Sequence, residues 1–185
     1  MEKSVLVSLS CFVCIILVGS CSSTETSDFK AFSTELDVAF VADSGKFSIK
    51  PPLDWKVQVK NDDVVFKPDI AELDARNAKA KIVIQYIKLN EILTPEQFRD
   101  VIEYDLKSSK NVDAYEIVEY GGTPANAYCN VLVEYDSSIG ESTHYFKNIF
   151  VGSGYFRIAG SSLKKYWKIA EPLLNASIDT FKIID

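Results

Sequence analysis

The chain is poor in the residues that do most enzyme and metal chemistry. It has one histidine and four cysteines in 185 residues, and it has no excess of basic charge. A single histidine, His144, excludes any site built on two or more imidazoles and leaves one side chain on which histidine acid–base catalysis would turn. The net charge of −6, from 20 Lys and Arg against 26 Asp and Glu, leaves no basic stripe for nucleic acid and no electrostatic adhesion to anionic lipid. No serine elbow, P-loop or dinucleotide glycine pattern occurs, which points away from an enzyme. Cysteine is scarcer than its count implies. Cys11 and Cys14 fall in an N-terminal apolar run, Cys21 closes it, and only Cys129 stands in the body of the chain, where it has no disulfide partner. Cys129 alternates with Ala127, Val131 and Val133, so it reads as a small buried hydrophobe rather than a reactive thiol.

What is present begins with that apolar run. Val5 to Val18 spans about 14 residues, the length of a signal-peptide core and short for a membrane-crossing helix. Lys3 gives it a weak positive start beside Glu2. Leu17-Val18-Gly19-Ser20-Cys21 then resembles a lipobox, with a branched apolar residue and two small residues ahead of the cysteine. This predicts a signal peptide at 1–20 that is recognised through Leu17, Val18, Gly19 and Ser20, and a mature N-terminus at Cys21 that carries lipid. Residues 21–34 are small and polar at first, which fits a tether; extended to about Ser33 it reaches at most roughly 40 Å at about 3.3 Å per residue. The expected location is the extracytoplasmic side of a membrane. Each buried lipid CH₂ contributes about 0.8 kcal/mol, so two or three acyl chains suffice without help from the acidic domain.

Residues 35–185 are long enough for one domain with a sizeable core. Leu36, Val38 and Phe40 alternate as a first strand, and Phe47-Ser48-Ile49 is stopped by Pro51-Pro52. Trp55 to Lys60 alternates with Trp55, Val57 and Val59 inward, and Asn61-Asp62-Asp63 turns it into Val64 to Pro68. A charged loop over Asp69 to Lys79 precedes a strand from Ala80 to Leu89, with Ile82, Ile84 and Tyr86 on its main apolar face. Thr94, Pro95 and Gln97 form a capping box with proline at the first position, and Phe98, Val101, Ile102 and Leu106 recur at helical spacing to about Ser108. Strands follow at Tyr115–Tyr120, ended by Gly121-Gly122, then at Asn126–Asp136, Thr143–Val151 and Tyr155–Ala159, the last three as a meander. Ser161 or Ser162 should cap a final helix that carries Leu163, Tyr166, Trp167, Ala170, Leu174 and Phe181, bent or divided at Pro172. Strands, helix, strands, helix is an α+β order: a central, mainly antiparallel sheet covered by helices.

The segment from Gly45 through Phe47 and Pro51-Pro52 to Trp55 resembles the opening signature of PsbP-like domains. Thr94–Leu106 resembles their central helix, Gly122–Tyr128 the start of their glycine–alanine–aromatic strand, and Tyr166-Trp167 with Ile178–Phe181 their closing helix. The resemblance covers about Val38 to Ile183. It implies an α/β/α sandwich, and the lipid site, the tether and the lack of catalytic residues add the expectation of a non-enzymatic lipoprotein that binds a protein or helps assemble a membrane complex. The family also includes an extrinsic photosystem II subunit that retains calcium and chloride, so a photosystem role in a photosynthetic host, or a calcium or small-ligand carrier, is the alternative. No family metal motif maps onto these residues. The acids Asp62, Asp63, Asp69, Glu72 and Asp74 are the candidates for weak calcium ligation should the two ends of that region meet. A Cys129–His144 dyad is the remaining catalytic candidate, and a turn centred near Ile139 places Cys129 closer to Phe150 than to His144. Tyr115, Tyr120, Tyr128, Tyr135, Tyr145 and Tyr155 crowd the second half and would offer a binding face wherever the sheet is uncovered.

If lipid is the sole attachment, Cys21→Ser leaves a folded domain that moves to the soluble fraction after signal processing. Membrane fractionation measures this, and a processed variant that stays with the membrane defeats the reading.

Overall fold

A computed structural model describes residues 34–42, 46–60, 63–69, 78–136 and 140–184. The lipobox and residues 21–33 lie outside the described residues, as do Asp62, Glu72 and Asp74. Two sheets and two helices make up the fold. The large sheet has seven antiparallel strands in the order β3 (Trp55–Lys60), β4 (Asp63–Pro68), β5 (Lys81–Lys88), β9 (Gly154–Leu163), β8 (Ser142–Val151), β7 (Asn126–Tyr135) and β6 (Val112–Thr123). A small sheet joins β1 (Phe40–Val41), β2 (Phe47–Ile49) and β10 (Lys182–Ile183). The expected α+β architecture is present, with a helix on each face of the large sheet.

The first helix, α1 (Pro95–Ser108), forms where its capping signals place it. Gln97 N–H donates to Thr94 Oγ1 at 3.3 Å, and Thr94 N–H donates back to Gln97 Oε1 at 2.9 Å. Phe98, Ile102 and Leu106 are fully or nearly buried at intervals of one turn. They pack on Ala127, Cys129, Val131 and Val133 of β7 and on Phe146 and Phe150 of β8. A polar chain ties the helix down as well. Arg157 reaches Asp105 of α1 at 2.9 Å and Asn148 at 3.0 Å, and Asn148 donates to the carbonyl of Cys129 at 2.8 Å.

The second helix, α2 (Trp167–Ile178), covers the opposite face, chiefly over β9 and also touching β5 and β8. Its Trp167, Ala170, Leu174 and Ile178 join Ile82, Ile84, Phe156 and Ile158, while Phe47 and Phe181 stack at 5.4 Å between the two sheets. Gly160 lets α2 approach this closely. A β-carbon there would lie 2.8 Å from Ile178 Cδ1 and 3.1 Å from Leu174 Cβ.

Several expectations are corrected. Of the inward residues assigned to β3, only Trp55 is buried; Val57 is 44% and Val59 62% exposed because β3 is the sheet's edge and α2 does not extend over it. Tyr86 is 43% and Val38 82% exposed, and the first strand shrinks to β1, with Leu36 in an isolated bridge to Pro52. Gly121 and Gly122 do not end β6, since pairing runs on to Thr123 opposite Asn126 past a bulge at Val118, with Gly122 at φ +99°. Ser161 and Ser162 cap nothing: they lie in β9, and a 3-10 turn at Lys164–Tyr166 leads into α2 without a side-chain cap. Pro172 sits inside an undivided α2, and Phe181 lies beyond the helix. Gly160→Val should destabilise the domain by about 1–3 kcal/mol through overpacking against α2, read as a lowered urea midpoint with an unchanged slope.

Candidate functional site

The register of the meander decides the catalytic candidate. Cys129 stands opposite Asn148, whereas His144 stands opposite Val133, so the two residues are not a dyad. The Cys129 thiol is fully buried and burial pushes it up to about 11, which keeps it protonated and inert. His144 is held down to about 4, first by burial and then by the charge of Lys81, so its ring is neutral at pH 7. Ser142 Oγ lies 3.1 Å from His144 Nε2. That pairing does not make a nucleophile and base. A ring this hard to protonate is a weak base, and among the described residues no carboxylate orients its other nitrogen.

The described acids are also dispersed. Asp63 begins β4, where it accepts from Gln85 at 2.9 Å; Asp69 follows the other end of that strand and pairs with Lys56 at 2.8 Å. A strand of this length holds them about 20 Å apart, so the ends of that region do not meet through these two residues. Among the described residues no group of three His, Cys, Asp or Glu side chains is arranged to hold a metal ion.

The tyrosines divide between structural contacts and a half-open face. Tyr115 donates to Glu103 at 2.8 Å, Tyr120 lies under Arg99 with its hydroxyl 3.2 Å from that guanidinium, and Tyr155 is core. Tyr128 and Tyr145 instead lie on the α2 side of the sheet, to the side of the helix, with Leu132 directly opposite Tyr145. All three are half-buried. Tyr128 donates to Glu119 at 3.0 Å, and Lys147 bridges to Asp179 of the segment after α2 at 3.1 Å. Asn130, which sits among them and is 9% exposed, leaves its side-chain oxygen with no hydrogen-bond partner among the described residues.

The other face carries a cavity beyond the end of α1. Its volume is about 210 Å³, and its wall includes Lys79, Lys81, Asn111, Tyr135, Ser142, His144 and Ser161. Sheet register assembles it: Lys81 of β5 is opposite Ser161 of β9, which is opposite His144 of β8. Tyr135 packs its ring 4.6 Å from His144. A larger open hollow of about 740 Å³ adjoins it around Lys164, but Lys164 is already engaged by Glu134 at 2.8 Å and Glu141 at 3.6 Å. Sequence reasoning identified His144 and missed its companions. Ser142 shares its face at a spacing of two and was legible, whereas Lys81 and Ser161 meet it only through strand pairings distant in sequence.

Comparison with known proteins bears on the fold. No family model and no curated protein matches the chain. The yeast Ran-binding protein Mog1p from Saccharomyces cerevisiae superposes with a TM-score of 0.57 at 10% identity, over 83% of this chain and 97% of Mog1p. LpqN, involved in cell envelope biogenesis of Mycobacterium tuberculosis, gives 0.56 at 11% identity, over 82% and 91%. A Bacteroides thetaiotaomicron protein gives 0.50 at 15% identity over 80% of this chain, which spans only 48% of it. The domain therefore has the α+β fold of Mog1p and LpqN. A cyanobacterial PsbP from Synechocystis sp. PCC 6803 is also similar, but its TM-score of 0.48 adds no support to the PsbP resemblance.

The position of His144 sets an acid limit on the fold. Its ring protonates near 6.5 in the unfolded chain and near 4 in the fold, so as the pH falls the unfolded chain takes up the proton first. The contribution of His144 to stability is therefore full above about 6.5 and lost between 6.5 and 4, by about 3 kcal/mol. Urea titrations across that range should show a shallower pH dependence for His144→Gln; an unchanged dependence contradicts the assignment.

Proposed function

We propose that this protein is an extracytoplasmic lipoprotein, anchored through Cys21, whose domain is a non-enzymatic module that binds another protein or helps assemble a membrane complex. One observation carries the reading. The domain keeps the architecture of a Ran-binding protein and of an envelope-biogenesis protein, while its single histidine is held neutral and stands apart from its one body cysteine, which is buried. Fold alone does not transmit function, so the support lies in the combination with surface and anchor. Residues 1–20 would be removed as a signal, and residues 21–34 would let the domain at 35–185 reach a neighbour in the same membrane. Among the described residues no helix is long and apolar enough to cross a membrane.

The face beside α2 suits a protein partner. Tyr128, Leu132 and Tyr145 offer half-buried apolar area, and the buried oxygen of Asn130 beside them has no donor among the described residues. A small-ligand carrier is the second reading, favoured by the cavity at His144. Calcium rests on resemblance alone, and the positions of Asp63 and Asp69 at opposite ends of β4 count against it.

A photo-crosslinking residue in place of Tyr128, in the full chain in its native membrane, should capture the same protein reproducibly. The same residue in place of exposed Tyr104 on α1 should not. Equal capture from both positions, or none from either, sinks the docking face.

A further inference from the structure

The cavity beyond α1 has a chemistry that the protein-binding reading does not use. Its polar wall is rich in hydrogen-bond donors: the ammonium groups of Lys79 and Lys81, the hydroxyls of Tyr135, Ser142 and Ser161, and the amide of Asn111, beside the His144 ring. Among the described residues the wall holds no carboxylate. In a chain of net charge −6 this is a local reversal of sign. Lys81 forms no ion pair among the described residues, and its charge is the one that reaches the His144 ring. A concave site of donors and cations with low-dielectric walls attracts and holds anions.

Size narrows the class. At about 210 Å³ the cavity lies below the roughly 300–1,000 Å³ of pockets that enclose whole small molecules, so it admits a group rather than a cofactor. We propose that this cavity binds a small oxyanion, a phosphate or phosphate-ester group, with Lys79 and Lys81 supplying charge, Ser161 and Asn111 donating hydrogen bonds, and His144 forming the wall. The phosphate belongs either to a soluble ester or to a phospholipid headgroup. The inference stands apart from the protein-binding reading, and neither depends on the other.

His144 supplies the reporter because it is the one histidine of the chain. The groups facing it are Lys81 from β5, Ser161 from β9, Tyr135 from β7 and Ser142 from its own strand. An anion beside Lys81 offsets the positive field and raises the pH at which the ring protonates. The test follows the His144 ring signals by NMR in the full-length chain in detergent micelles, titrated with inorganic phosphate and glycerol 3-phosphate, and separately in nanodiscs containing phosphatidic acid. A saturable shift is expected, with the ring's midpoint raised by about one pH unit at saturation. Lys81→Met should weaken binding at least about tenfold, whereas Lys88→Met at the other end of β5 should leave it unchanged. Amide spectra confirm the fold of each variant, and Lys79→Gln serves in place of Lys81→Met if that variant unfolds. Response to the soluble phosphates alone assigns a free ester; response to phosphatidic acid alone assigns a headgroup; response to both assigns the shared group. No saturable shift with any probe, or equal affinity after loss of the lysine charge, overturns the proposal.

Discussion

The pairing of β5 with β9 is the constraint on which the rest of the structure depends. It runs without interruption from Lys81 opposite Ser161 to Lys88 opposite Gly154, and it joins strands separated in sequence by α1 and three strands, β6 to β8. Without it the β3–β5 hairpin unit and the β6–β9 meander would be two sheets, each with an open edge. With it, β9 becomes a central strand buried on both faces. Phe156, Ile158 and Gly160 serve the α2 cluster, while Tyr155 and Ala159 serve the α1 cluster. The alternation of a strand thus couples two cores that share no helix.

The same pairing builds both candidate surfaces. At one end it sets Lys81 beside Ser161 and, one strand further, His144, which makes a donor-lined cavity out of residues far apart in sequence. Across the sheet, the close seat of α2 on Gly160 fixes that helix over β9 and leaves the α2 side of β7 and β8 partly open. Tyr128, Leu132 and Tyr145 owe their half-exposure to that placement and not to local pattern. The polar chain from Asp105 through Arg157 and Asn148 to the Cys129 carbonyl works on the other face, orienting α1 where apolar packing alone permits sliding.

Legibility in the sequence followed the range of the interaction. The capping box at Thr94 and the helical stripe of α1 are local, and both ends of that helix were read correctly. The burial of Cys129 with Ala127, Val131 and Val133 was likewise visible, because alternation in a central strand is strong. Val57 and Val59 alternate just as cleanly and yet are exposed, since nothing in β3 itself says that it is an edge. Ser161 and Ser162 resemble helix caps in composition, but pairing with β5 and β8 claims them for β9. The two-residue β10 against β2 was invisible, as so short a strand has no periodicity of its own.

The sequence by itself determined the α+β class, the position of α1, the scarcity of catalytic groups and the candidate lipid site at Cys21, because composition, capping and period depend on neighbours within a few residues. Only the tertiary structure decided that His144 faces Val133 and Ser161 rather than Cys129, and that a lysine from β5 shares a cavity with a histidine from β8. Those relations are set by register between distant strands. A slip of one residue would turn each of these side chains to the other face, and no local pattern carries that information.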